Sequence, residues 1–167
     1  MKTILKISLF FFIFFQSALS DDKIAYLDID FILSSSNKGM SIIKLLEKTN
    51  KENIVKLQEK ENLLKEIESD IDKKKNILSD EELNIQIEDL KKKIITFRKE
   101  KKKIVADFND LKQKEISVLM NLINPIITDY IKEKSISIVM DKKNILIGQK
   151  SYDITNQILE IVNAKLK

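Results

Sequence analysis

The sequence has no cysteine, no histidine and no tryptophan, and only two glycines and one proline in 167 residues. Each absence closes off a class of fold or function. Without Cys or His there is no Cys/His or Ser/His/Asp nucleophilic machinery, and zinc sites of the Cys or His type are ruled out. Without Cys no disulfide supports the fold, so stability has to come from packing or from association. Three turn formers do not suit an all-β sandwich or a loop-rich enzyme, both of which need many chain reversals. Long helices are the natural reading. Carboxylates are plentiful, but 26 Asp and Glu lie dispersed among 30 Lys and Arg, and no catalytic pair stands out from solvated helix charges. No enzyme activity is expected. Nothing resembles a glycine-rich phosphate cradle, so neither ATP nor any other cofactor is expected. The net charge of +4 is a small excess without interleaved stacking aromatics, which argues against a nucleic-acid partner.

What the chain does have begins at its N-terminus. Lys2 and Lys6 introduce the apolar run Ile7 to Phe15, interrupted only by Ser8, and Ser17-Ala18-Leu19-Ser20 follows. That order is a secretory signal peptide, with Ala18 and Ser20 at the −3 and −1 positions of a cleavage after Ser20. The apolar stretch is about half of the roughly 20 residues needed to cross a bilayer, which disfavours an uncleaved anchor. No Cys follows the run, so a lipid anchor is not expected. Removing 20 of the 167 residues leaves 147, the size of one domain or of one domain with an extension.

Residues 23 to 29 read as a short buried strand, 30 to 36 as a short helix or turn, and Asn37-Lys38-Gly39 as a break. A helix is predicted from Ser41, its N-cap, to about Leu78. Steps of three and four from Ile43 meet apolar residues at seven of eleven positions, a usable but interrupted coiled-coil seam. Ser79-Asp80-Glu81-Glu82 is a capping signature and predicts a chain reversal. From Leu83 the same stepping to Val118 and Leu122 meets apolar residues at ten of twelve positions, beside a highly charged opposite face. Helices of these lengths span on the order of 55 to 80 Å, so the hairpin has to project from whatever body the ends form. Pro125 predicts a kink or restart, after which the helix resumes to about Glu133. Residues 135–140 and 144–148 read as two strands joined by a turn at 141–144. Asp153 opens a last helix with Ile154, Ile158, Ile161, Val162 and Leu166 on one face. The fold class is therefore α+β, predominantly α, with a long antiparallel helical hairpin on a small β-containing body. The expected division is a signal peptide at 1–20, an association body from 21–40 and 135–167, and a hairpin from 41–134.

The opening Lys23-Ile24-Ala25-Tyr26-Leu27-Asp28, the charged hairpin, the strand Ile136 to Asp141 and the closing Tyr152-Asp153-Ile154-Thr155 resemble the Skp/OmpH family of periplasmic chaperones in order and over essentially the whole mature chain. The resemblance implies a homotrimer whose strands build a common body, from which three helical tentacles descend around a cavity for unfolded outer-membrane proteins. The function it implies is that of an ATP-independent periplasmic holdase. Physical argument supports association on its own, because a sheet of two or three short strands leaves edges that invite pairing with other copies. Ile24, Leu27, Ile136, Ile138 and Val139 are expected in a core shared between copies.

Phe97 and Phe108 fall on the seam and are expected to pack the hairpin together. Client contacts then fall to apolar residues off it: Ile54, Val55, Leu63, Ile77, Ile85 and Ile95. The basic runs at 73–75, 91–93, 98–99 and 101–103 suit weak contact with anionic lipid head groups. The plainer reading is preferred, a solvated face with Glu59, Glu61, Glu66 and Glu68 opposite across the hairpin. Family members are generally more basic in the tentacles, so a lipopolysaccharide site is not carried over. The rival function is an envelope adaptor or structural coiled coil, tethered through residues 1–20.

Overall fold

The computed structural model describes residues 23–166, so the expected signal peptide at 1–20 lies outside the described residues. Strand β1 (Lys23–Leu27) leads into a short helix α1 (Ile29–Ser35), and helices α2 (Asn37–Lys74) and α3 (Asp80–Lys134) form the hairpin. Strand β2 (Ile136–Asp141), two single 3-10 turns at Lys142–Asn144 and Lys150–Tyr152, and helix α4 (Thr155–Lys165) complete the chain. It is an α+β fold dominated by helix, as expected. At about 1.5 Å per residue the 38 residues of α2 and 55 of α3 correspond to roughly 57 and 82 Å.

The strands pair in parallel, with Ile24 opposite Ile138, Ala25 opposite Val139 and Leu27 opposite Asp141, so the whole hairpin is the crossover between them. Alternation along β1 sends Ala25 and Leu27 into the core and leaves Ile24 and Tyr26 on the other face. The core gathers Ala25 and Leu27 from β1, Ile32 from α1, and Ile42 from the root of α2. Leu119, Ile123 and Ile126 from the end of α3 meet Ile154, Ile158 and Val162 of the closing helix there. Both ends of the described segment thus return to the foot of the hairpin.

Helix caps explain the boundaries. Asp28 accepts from the Phe31 N–H at 2.9 Å and starts α1. Ser36 is fully buried and serves twice, closing α1 through its N–H to the Ile32 carbonyl and opening α2 by accepting from Gly39 N–H at 3.1 Å. A Cβ on Gly39 would lie 1.7 Å from the Leu33 carbonyl oxygen, so the tight α1–α2 junction requires glycine. The expected break at 37–39 therefore shrinks to one residue. Ser41, expected as N-cap, lies inside α2 and its hydroxyl donates back to the Asn37 carbonyl. At the far end Ser79 and Glu82 form a reciprocal capping box, as the acidic signature predicts.

Three further expectations are corrected. α3 runs unbroken through Pro125, so of the expected kink or restart the restart does not occur. An interior proline costs about 3 kcal/mol, but Ile123 and Ile126 on either side are buried and each recovers roughly 1.5–3 kcal/mol, enough to hold the helix across it. The seam drifts by one residue at its base: Ile42, Leu119 and Ile123 face the core, while Ile43, Val118 and Leu122 are exposed. A helix of 3.6 residues per turn outruns a 3.5-residue stepping by about 20° per heptad, and over this length that is enough to pass the seam to the next residue. The segment 144–148 is not a strand. Ile-Leu-Ile has the right propensity, but no strand among the described residues offers it a ladder, and Leu146 and Ile147 stand 97% and 90% exposed.

Candidate functional surfaces

Among the described residues, large exposed apolar side chains concentrate on two surfaces, one on the body and one along the hairpin. The first is the outer face of the two-stranded sheet. Ile24 and Ile138, paired across the strands, are 44% and 54% exposed, and Met140 continues the patch. The 145–152 segment folds over Tyr26, whose hydroxyl donates to the Gln149 carbonyl at 3.2 Å, and Gly148 lets the backbone come down on the ring. Together they line a groove of about 330 Å³ with Ile24, Met140, Ile147 and Tyr152 on its walls.

A polar clasp holds this face in shape. Ile154 N–H donates to the Tyr26 carbonyl at 2.9 Å, and Asp28 N–H donates to the Thr155 hydroxyl at 2.9 Å. That hydroxyl donates in turn to Asp153, which also accepts from Lys142 at 2.9 Å. Partial burial works against ionisation of Asp153, but the Thr155 and Lys142 hydrogen bonds outweigh it and hold the carboxyl below its ordinary range. The first strand is thereby tied to the last helix.

Of the residues expected in a shared core, the structure puts Leu27 inside the chain's own core and packs Ile136 and Val139 against it. Ile24 and Ile138 point the other way, onto the open face. Met140, Ile147 and Tyr152 join them there, and Ile147 does so because 144–148, read from sequence as a paired strand, folds over Tyr26 instead.

The second surface is the flank of the hairpin. Ile54, Val55, Leu63, Ile77, Ile85 and Ile95 are all exposed, none by less than 48%. Phe97 and Phe108 are half-buried on the seam. Sequence stepping missed Leu45 and Val105, which are equally exposed and off the seam, and it missed Ile43, Val118 and Leu122 by placing them on it.

Charge on the flank is organised along each helix. Lys73 and Lys75 pair with Asp70 and Asp72, and Lys91 and Lys93 with Glu88 and Asp89, all three or four residues away on the same helix. Such pairs contribute little to stability, but they leave fewer free cations for an anionic surface. Glu61, expected to face the lysines across the hairpin, instead bonds Lys65 one turn on, which lowers its pKa. Among the described residues the ion pairs that do cross the hairpin converge on Glu100, reached by Lys60 and, at 3.7 Å, by Lys56. Hydrogen bonding from Lys60 holds the Glu100 carboxyl below the ordinary range. No group of acidic side chains among the described residues could hold a metal ion, and no described helix is long and apolar enough to cross a membrane.

Residues 23–162 match the family described as outer membrane protein (OmpH-like). The chain belongs to the OmpH-like family. The fold agrees: a crystal structure of an OmpH-like protein from Caulobacter crescentus, described as a candidate outer membrane chaperone, superposes with a TM-score of 0.80. The two chains are 17% identical, and the match covers 86% of this chain and 85% of that one. A search of curated proteins gives no match.

Proposed function

We propose that this OmpH-like protein is an ATP-independent holdase chaperone of the periplasm, exported by a signal peptide cleaved after Ser20, that binds unfolded outer-membrane proteins and keeps them from aggregating. The observation that carries the reading is the hairpin flank, where single apolar side chains stand exposed at intervals among charges and are not spent on the seam. Half-burying one such side chain yields on the order of 1 kcal/mol, too little to hold anything alone. Six of them per hairpin, Ile54, Val55, Leu63, Ile77, Ile85 and Ile95, sum to several kcal/mol when one flexible client touches many at once. Contacts of this kind tolerate any client sequence with apolar β segments, and covering those segments blocks the edge-to-edge pairing that leads to aggregation. They also exchange one at a time, so release to a better partner needs no nucleotide.

Association belongs to the same proposal. The outer sheet face joins copies of the chain, as a homotrimer on the pattern of the family, so that the 21–40 and 135–167 segments form a shared body and the 41–134 hairpins surround the client. A protomer with this little core gains much of its stability from a core shared between copies.

The test is an aggregation assay with an unfolded membrane β-barrel protein, run on the processed chain and on a variant with Ile54, Val55, Leu63, Ile85 and Ile95 all changed to Ser. The expected result is strong suppression by the first and weak suppression by the second at unchanged oligomeric mass. Equal suppression by both removes the flank from the mechanism. A native protein that retains residues 1–20 and suppresses nothing points to the adaptor reading instead.

A further inference from the structure

Above the foot, where Ile42 packs with Leu119 and Ile123 in the body, the seam from Leu57 to Ile71 and from Leu90 to Leu111 is nearly blind to its own register. Leu57, Leu64 and Ile71 on α2 recur every seven residues, as do Leu90, Phe97, Ile104 and Leu111 on α3. A slide of one helix past the other by seven residues therefore puts apolar side chains against apolar side chains again. Packing does little to oppose such a slide at mid-hairpin, where the seam opens into a groove of about 400 Å³ lined by Leu63, Leu64, Ile67, Thr96 and Phe97. Lys60 and Glu100 break the repeat. Both occupy half-buried seam positions, they meet at the edge of that groove, and with Lys56 they make the ion pairs that cross the hairpin among the described residues.

We propose that Glu100, clamped between Lys56 and Lys60, is the register lock of the helical hairpin. A seven-residue slide in one direction puts Lys93 where Glu100 now sits and sets three lysines against one another. A slide in the other direction puts Asp107 there but draws the turn past Ser79 and Glu82, which dissolves the capping box. The lock selects among registers more than it stabilises any of them, as a single polar seam position does in coiled coils. Its consequence is geometric: it fixes which exposed residues of α2 and α3 stand at the same height on the flank. The inference holds whatever the hairpin binds.

Because the chain has no cysteine, labelling positions can be introduced without background. Spin labels on Leu45→Cys and Ile85→Cys, both exposed, would be measured by pulsed electron double resonance in full-length protein diluted with unlabelled protein. With Glu100 present a single distance is expected. Glu100→Leu keeps the seam apolar and removes the charge, and should add a second population displaced by about 10 Å, seven residues at about 1.5 Å each. Glu100→Gln, closest to the native shape, should show the same second distance should the Leu variant fail to fold. Reversing four charges, with Lys56→Glu, Lys60→Glu, Lys93→Glu and Glu100→Lys, should return the single native distance, because a slide then again sets like charges together. An unchanged single distance in both Glu100 variants overturns the proposal, and so does broadening without a discrete second distance, or a charge reversal that does not restore the first.

Discussion

If the outer sheet face joins copies of the chain, shaving it should separate them without unfolding them. Ile24 and Ile138 are the residues to change, because both lie on the open face while Ala25, Leu27 and Val139 hold the core on the other. Their exposures of 44% and 54% leave about one isoleucine's worth of apolar surface per chain to be covered by association. Full burial of an isoleucine is worth roughly 1.5–3 kcal/mol, so Ile24→Ala with Ile138→Ala should cost a three-copy assembly about 5–9 kcal/mol. At about 1.4 kcal/mol per factor of ten, the three-body dissociation constant rises by some three to six orders of magnitude. That constant scales as concentration squared, which moves the midpoint of assembly by roughly fifty- to two-thousand-fold on the same conversion. Sedimentation equilibrium over a dilution series would read the midpoint, with circular dichroism confirming that the helices remain. A midpoint that moves less than about threefold, on a scale where each 1.4 kcal/mol is tenfold, would refute the assignment of this face to association.

Gly39→Ala should lower the thermal midpoint markedly, since its Cβ meets a backbone carbonyl that cannot swing away; overpacking of this kind costs at least about 1–3 kcal/mol, and an unchanged midpoint would mean the α1–α2 junction is loose. Ser135→Gly should do the opposite. Ser135 ends α3 at φ 53°, where an L side chain costs about 1 kcal/mol, and denaturant titration should show a gain of that order. Acid should loosen the hairpin. The Ser79 hydroxyl and N–H lower the pKa of Glu82, and Lys60 lowers that of Glu100, so the unfolded chain takes up protons before the folded one. Their contribution is complete above the ordinary Glu value of about 4.3 and is lost as pH falls below it. Thermal midpoints measured from pH 6 down to pH 3 should stay level and then fall, and Ser79→Ala should shrink the fall; a midpoint that rises on acidification contradicts the sign.

The hairpin was legible because two independent signals agree over long stretches, apolar residues at three-four spacing and an almost complete lack of turn formers. The capping residues at 79–82 located the reversal for the same reason, as local chemistry acting locally. What escaped was set by tertiary structure. Ser36, not Ser41, starts α2, because only the fold shows that Ser36 is buried between two helices. Val118 and Leu122 slipped off the predicted seam because the stepping ignored helical drift. Residues 144–148 have a strand's composition, but a ladder needs a partner, and composition does not supply one. The exposed flank residues are legible because an apolar side chain off the seam has nothing in the hairpin to pack against, which holds for Leu45 and Val105 as well. The open sheet face could not be divided from the inner core by sequence, since which of Ile24 and Leu27 faces inward depends on what lies beneath the strand.

The parallel pairing of β1 with β2 also fixes an order of events. Lys23 waits for Ile136, more than a hundred residues later, whereas each turn of the hairpin finds its contacts nearby. Contacts of low sequence separation form fast and distant ones late. A chain that emerges N-terminus first therefore raises its two long helices while its opening strand is still unmated, and the outer sheet face is completed only when the final residues arrive. If copies join through that face, as proposed, they can do so only once each has its arms in place.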